Sequence, residues 1–162
     1  MRLPRLIALL VLGLAFAGCT HSSGSTGDGG QPNAAATTKR PQLAPGEPLI
    51  TYSKVGGPPT GFVDDNLTVN EDRSFKISQY HKNPVTGTLT ESELAALEKA
   101  FTDANFEKLD SDLSRSDTHI DELNYDIRYG NNSVTILHGA VSPAIRPVVD
   151  ACDAFIASHG SG

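Results

Sequence analysis

Leu123, Tyr125, Ile127 and Tyr129 alternate with Asn124, Asp126 and Arg128. Successive side chains of a strand point to opposite faces, so a period of two buries one face and wets the other. A chain carrying this pattern has to build a sheet that is covered on one side. Gly130-Asn131-Asn132 follows as a hairpin turn, and Ser133 to Leu137 returns as the next strand. Leu49-Ile50-Thr51-Tyr52-Ser53-Lys54-Val55 is rich in strand formers. Leu67-Thr68-Val69 and Phe75-Lys76-Ile77 alternate in the same way on either side of Asn70-Glu71-Asp72-Arg73. Half-wetted strands joined by short turns predict an antiparallel sheet.

Two stretches carry helical spacing instead. Thr90 and Glu93 stand at capping-box spacing, and Leu94, Leu97, Phe101 and Ala104 then share one face. Asn105 ends this helix, and Phe106 and Leu109 pin its exit to the core. Ser142-Pro143 reads as an N-cap followed by Pro at the first helical position. Ile145, Val148, Val149, Cys152, Phe155 and Ile156 form the apolar stripe of the second helix, with Pro147 in its first turn and a half. The expected fold class is α+β: an antiparallel sheet of four to five strands with two helices on one face, in the order β-β-β-α-β-β-α.

The core begins late in the chain. Residues 20–47 are rich in Gly, Ser, Thr and Pro and nearly empty of branched apolar side chains. Such a segment cannot offset its own ordering entropy, and reads as a tether of roughly 30 Å reach. Before it, Met1-Arg2-Leu3-Pro4-Arg5 is a positive start and Leu6 to Phe16 an apolar run. Phe16-Ala17-Gly18-Cys19 closes it and resembles the lipobox of bacterial lipoproteins, in which the cysteine takes a lipid on sulfur. The alternative is an ordinary secretory signal cut after Ala17 or Gly18, with Cys19 incidental. The run is shorter than the roughly 20 residues that span hydrocarbon. The expected organisation is a signal at 1–18, lipidated Cys19 and tether to 47, a folded domain at 48–159, and a tail at 160–162. The expected location is extracytoplasmic, anchored by lipid to the bacterial cell membrane.

Charge narrows the partners. Without Arg2 and Arg5, 11 basic residues face 19 acidic ones, about −8. Nucleic acid and anionic membrane surfaces call for neutralising Lys and Arg, so neither is expected as a partner. With Cys19 lipidated, Cys152 has no disulfide partner, and the domain has to be held by its core.

Catalytic motifs are absent from the sequence: it has no G-x-S-x-G, H-E-x-x-H, Walker loop or C-x-x-C. Asp110, Asp112, Asp117, His119, Asp121 and Glu122 offer metal-ligand chemistry, but Asp110-Ser111-Asp112 lacks the third ligand, Gly and closing Glu of a calcium loop. The reading preferred is a solvated loop, with no metal and no cofactor. A hydrolase built on Asp117, His119 and Glu122 is the weakest reading. Cys152 lies on an apolar stripe without a neighbouring cation, so it reads as core. His138, after the last strand, reads as a hydrogen-bonded loop residue. The most informative loop is Gly56-Gly57-Pro58-Pro59-Thr60-Gly61-Phe62. Glycine permits unusual backbone angles, proline stiffens, and a stiff loop loses little entropy on docking. Gly56, Gly57, Pro58, Pro59 and Phe62 are therefore the candidate partner-binding residues. A plain strand connection with Phe62 folded inward is the competing reading.

Three stretches together resemble the emfourin family, named for a bacterial inhibitor of a thermolysin-like zinc metallopeptidase. They are Ile50-Thr51-Tyr52-Ser53-Lys54-Val55-Gly56-Gly57, the helix from Leu94 with its tail Phe106 and Leu109, and Tyr125-Asp126-Ile127 with Gly139-Ala140-Val141-Ser142-Pro143-Ala144-Ile145-Arg146-Pro147. The likeness spans about residues 49–156, and Pro58-Pro59 departs from the small and apolar residues associated with the family. It implies a non-enzymatic inhibitor or regulator of a thermolysin-like metallopeptidase that blocks the cleft. The inhibitor that names the family has no lipid anchor or long tether, so the membrane anchoring expected here comes from Cys19 and the tether alone, and a monomer is expected. The alternative is a non-catalytic envelope binding module.

Overall fold

The structure is a computed structural model that describes residues 40–41, 43–114, 122–137 and 141–160. The signal, Cys19 and most of the expected tether lie outside these residues, as do Asp117, His119, Asp121 and His138. Six strands and two helices follow one another: β1 Ile50–Gly56, β2 Val63–Val69, β3 Ser74–Gln79, β4 Val85–Thr88, α1 Glu91–Asp103, β5 Leu123–Tyr129, β6 Asn132–Ile136 and α2 Arg146–His159. The sheet is antiparallel throughout, in the order β4-β3-β2-β1-β5-β6.

Register places the apolar residues on one face. Tyr52 pairs with Leu67 on one side and Ile127 on the other; Leu67 pairs with Ile77, and Ile127 with Val134. All five are buried, along with Ile50, Val69, Phe75, Tyr125 and Ile136. The α1 residues Leu94, Leu97 and Phe101 and the α2 residues Val148, Cys152, Phe155 and Ile156 join the same core. Phe101 stacks on Tyr129 at 4.7 Å and Phe75 meets Phe155 at 5.2 Å, so both helices cover the same face. Each large apolar side chain removed from water contributes roughly 1.5–3 kcal/mol. Cys152 is fully buried, and burial pushes its thiol well above the usual range.

The sheet has one strand more than the four to five expected, and the order becomes β-β-β-β-α-β-β-α. The extra strand is β4. Val85-Thr86-Gly87-Thr88 contains one large apolar residue, so no alternation marks it; pairing with β3 makes it a strand. β2 also begins earlier than Leu67, because Val63-Asp64-Asp65-Asn66 pairs with β1 despite its polarity. The second helix starts at Arg146, one turn after Ser142-Pro143. A helix begun at Pro143 would place Pro147 where an N–H has to reach back four residues. The later start puts Pro147 in the first turn, where the missing N–H costs nothing. Ser142 instead closes the preceding turn, its carbonyl accepting from Arg146 N–H at 3.1 Å.

The contacts of the domain reach back before residue 48. Arg40 forms a two-pronged pair with Glu98 at 2.7 and 3.3 Å, and Leu43 packs on the core. Pro41 covers Gly130 so closely that a Cβ there would come within 2.2 Å of the proline ring. Glu47 accepts from Arg128 at 2.8 Å. These contacts fix where the chain enters the sheet: at the end holding the β2–β3 and β5–β6 turns.

α1 is capped as expected. Glu93 N–H donates to Thr90 Oγ1 at 3.2 Å, and Thr90 N–H donates to Glu93 Oε2 at 2.7 Å. Asn105 takes a left-handed φ of 48° just beyond the helix, the usual way to stop one. Thr90→Ala is expected to cost about 1 kcal/mol in urea unfolding. The donors from Thr90 hold the Glu93 carboxyl below its usual range. A carboxyl with a lowered folded pKa stabilises above its unfolded pKa and loses that contribution as pH falls through the folded value. Glu93→Gln is therefore expected to flatten the acid limb of stability against pH.

Candidate functional site

The antiparallel order gathers four chain segments at the end of the sheet opposite the entry point. They are the loop from Gly57 to Phe62, the loop from Tyr80 to Pro84, the approach to β5 at Glu122, and the exit from β6 at Leu137. The three exposed large apolar residues of the described chain all lie here: Phe62 at 38%, Tyr80 at 48% and Leu137 at 42%. Phe62 and Tyr80 form one exposed apolar spot, whereas Leu137 lies apart from them, past β1 and β5 at the β6 edge.

Phe62 and Tyr80 meet edge to face at 5.0 Å, and the His81 ring lies 3.9 Å from Tyr80. Phe62 therefore stands out from the surface beside a second ring, and the competing reading of a core Phe62 does not hold. Tyr80 and His81 escaped the sequence reading because they lie in a polar stretch without period. The available signal was an aromatic pair within a loop. His81 adopts φ 56° in a turn closed by Lys82 N–H to Gln79 O at 3.1 Å. A left-handed non-glycine residue stores strain of order 1 kcal/mol, and such residues concentrate at binding sites.

The neighbouring loop is stiff for identifiable reasons. Gly56 ends β1 between Val63 and Leu123, with φ 135°. A Cβ there would lie 2.3 Å from the Glu122 carbonyl oxygen. Gly57 has φ 92°, and a Cβ would come within 3.0 Å of Gly61 O. Gly61 N–H closes a turn onto Pro58 O at 2.8 Å. Gly56 thus shapes the loop from inside the sheet, while Pro58, Pro59 and Phe62 form its exposed part.

Behind this end lies a polar cluster on the helix side. Tyr52 donates to Asp153 Oδ1 at 2.7 Å and Lys54 donates to Oδ2 at 2.8 Å. Gln79 donates to Asp65 at 2.8 Å. Burial foremost, then the bond to Asp153, pushes the Tyr52 phenol far up. Burial works against the Lys54 charge, but Asp153 outweighs it and the ammonium is held above its usual range. The Asp153 bonds tie β1 to α2.

Two other groupings bring polar side chains together. Ser158 Oγ lies 2.8 Å from His159 Nδ1, and His159 Nε2 lies 3.2 Å from Glu93 Oε1. A hydrolytic triad puts the serine on Nε2 and the carboxylate on Nδ1, the reverse of this arrangement, and the group sits at the C-terminal end of α2. Helix carbonyls there disfavour an oxyanion, and Ser158 already donates to Phe155 O at 2.9 Å. The group ties the end of α2 to the start of α1. In the acidic loop, Asp112 accepts from Ser114, whose hydroxyl first and whose N–H second, the latter at 2.8 Å, hold its carboxyl below the usual range. Among the described residues no three His, Cys, Asp or Glu side chains converge as metal ligands.

No protein-family model matches this chain, and no curated protein matches it.

Proposed function

We propose that this chain is a lipid-anchored, extracytoplasmic inhibitor of a thermolysin-like zinc metallopeptidase, with an emfourin-like domain that blocks the cleft without catalysis. The observation that carries the reading is the exposed Phe62–Tyr80 ring pair beside a stiff loop. Rigid aromatic anchors deliver apolar contact at low entropic cost, which suits insertion into a concave cleft. The position of the loops supports it as well. The chain enters through Arg40–Glu47 at the opposite end of the sheet, so the segment that precedes the domain does not begin beside the rings. The net negative charge of the domain keeps it off anionic headgroups and favours a partner surface of opposite sign.

Purified full chain in detergent, titrated against several thermolysin-like metallopeptidases, is expected to abolish the activity of at least one stoichiometrically. Full activity in all of them at micromolar chain would overturn the reading. Phe62→Ala with Tyr80→Ala is expected to weaken inhibition by about 30-fold, the effect of removing roughly 2 kcal/mol of anchor contact. Both rings are exposed, so the thermal midpoint should stay within about 2 °C of the parent.

A further inference from the structure

The two edges of the sheet end differently. β6 is closed by the chain itself: Leu113 N–H donates to Thr135 O at 2.9 Å, and Thr135 N–H donates to Ser111 O at 2.8 Å. β4, at the other edge, pairs with β3 and with no further strand among the described residues. Leu89 N–H donates to Arg73 O at 2.9 Å, extending the β3–β4 ladder. Bonded and non-bonded residues alternate along such a ladder. Leu89, Gly87 and Val85 therefore turn their main-chain groups toward β3, and Thr86 and Thr88 turn theirs outward.

An open edge is blunted by shortness, Lys, Pro, a bulge or an inward charge, and of these β4 has only its shortness, four residues. Val85–Thr88 contains no charge and no proline. Gly87 is required where it stands, because a Cβ there would lie 2.7 Å from the Phe75 ring. The loop leading into β4 is the one that carries Tyr80 and His81.

We propose that the β4 edge takes an extended segment of the metallopeptidase as a seventh strand, with Thr86 and Thr88 supplying the main-chain bonds. This rests on the inhibitor reading. Unpaired donors and acceptors at strand spacing are complementary to an extended backbone; a helix has already consumed its own. A second copy of this chain is the poorer occupant. Four residues on an edge bury far less than the roughly 1,200 Å² of a stable interface. The partner therefore has to cover the neighbouring rings as well, which a protease rim can do.

The test uses the full chain and a metallopeptidase that it inhibits. Thr86→Pro and Thr88→Pro each delete one outward N–H and leave the bonds to β3 intact, a position where edge strands accept proline. Each is expected to raise the inhibition constant at least tenfold. Hydrogen exchange on the unmodified chain gives a second reading that no folding defect can confuse: the Thr86 and Thr88 amides should slow at least tenfold in the complex. Inhibition constants within twofold of the parent, or unprotected amides in an inhibited complex, would overturn the edge pairing while leaving the inhibitor reading standing. If no metallopeptidase is inhibited, both fall together. A sedimentation shift of the free chain to a dimer, abolished by Thr86→Pro, would assign the edge to self-pairing and overturn the proposal.

Discussion

Phe101→Ala is expected to remove about 3–5 kcal/mol of stability. Phe101 is 1% exposed and joins α1 to β5 and to the turn that follows the helix. It stacks on Tyr129 of β5 at 4.7 Å and meets Phe106 edge to face at 5.0 Å. Truncation loses the transfer free energy of the ring and opens a cavity that these neighbours fill only in part. They are themselves pinned, Tyr129 by its strand and Phe106 by the single 3-10 turn after Asn105. A domain of this size has roughly 5–15 kcal/mol in all. Urea unfolding should show a midpoint lowered by about a fifth or more, the share that a loss of about 3 kcal/mol takes from roughly 15. Phe101→Leu, which keeps most of the volume, should lose less than half as much. Equal losses for the two variants would mean that the α1–β5 contact is not packed as described.

That packing was legible in the sequence where periodicity was strong. The heptad from Leu123 to Tyr129 and the stripe from Leu94 to Phe101 each carry several apolar residues at one period. Their burial needs no partner to be inferred. β4 was not legible, because its strand character comes from pairing with β3 and from Gly87 yielding space to Phe75, neither of which leaves a period. The start of α2 was misplaced for a local reason. Ser142-Pro143 satisfies the helix-start rule, yet Pro147 four residues on forbids a helix from there.

The candidate site was half legible. Gly56, Gly57, Pro58 and Pro59 announce an unusual loop, since glycine and proline report backbone constraint directly. What they could not report is which side chain the constraint serves. Phe62 gains its meaning from Tyr80, eighteen positions away, through the pairing of β2 with β3. Contacts made through a register are invisible until the register is known.

Cys19→Ala is expected to move the chain from the membrane fraction to the soluble fraction almost completely. The size of the effect follows from what else could hold the chain to a bilayer. Among the described residues no helix is long and apolar enough to cross one. Beyond Arg2 and Arg5 the chain has 11 basic against 19 acidic residues, so there is no polybasic supplement to a lipid. Once the apolar run Leu6 to Phe16 is cleaved off, lipid on Cys19 is the anchor this reading leaves, and each buried methylene contributes about 0.8 kcal/mol. Fractionation of the parent and Cys19→Ala chains, with mass spectrometry of the parent for a lipid on sulfur, decides it. An unlipidated parent, or a Cys19→Ala chain that stays with the membrane, would remove the anchored part of the proposed function. The inhibitor reading would survive that result, because the Phe62–Tyr80 pair owes nothing to Cys19. Its reach would change: a released chain could follow a diffusing protease, whereas a tethered one guards only the surface it stands on.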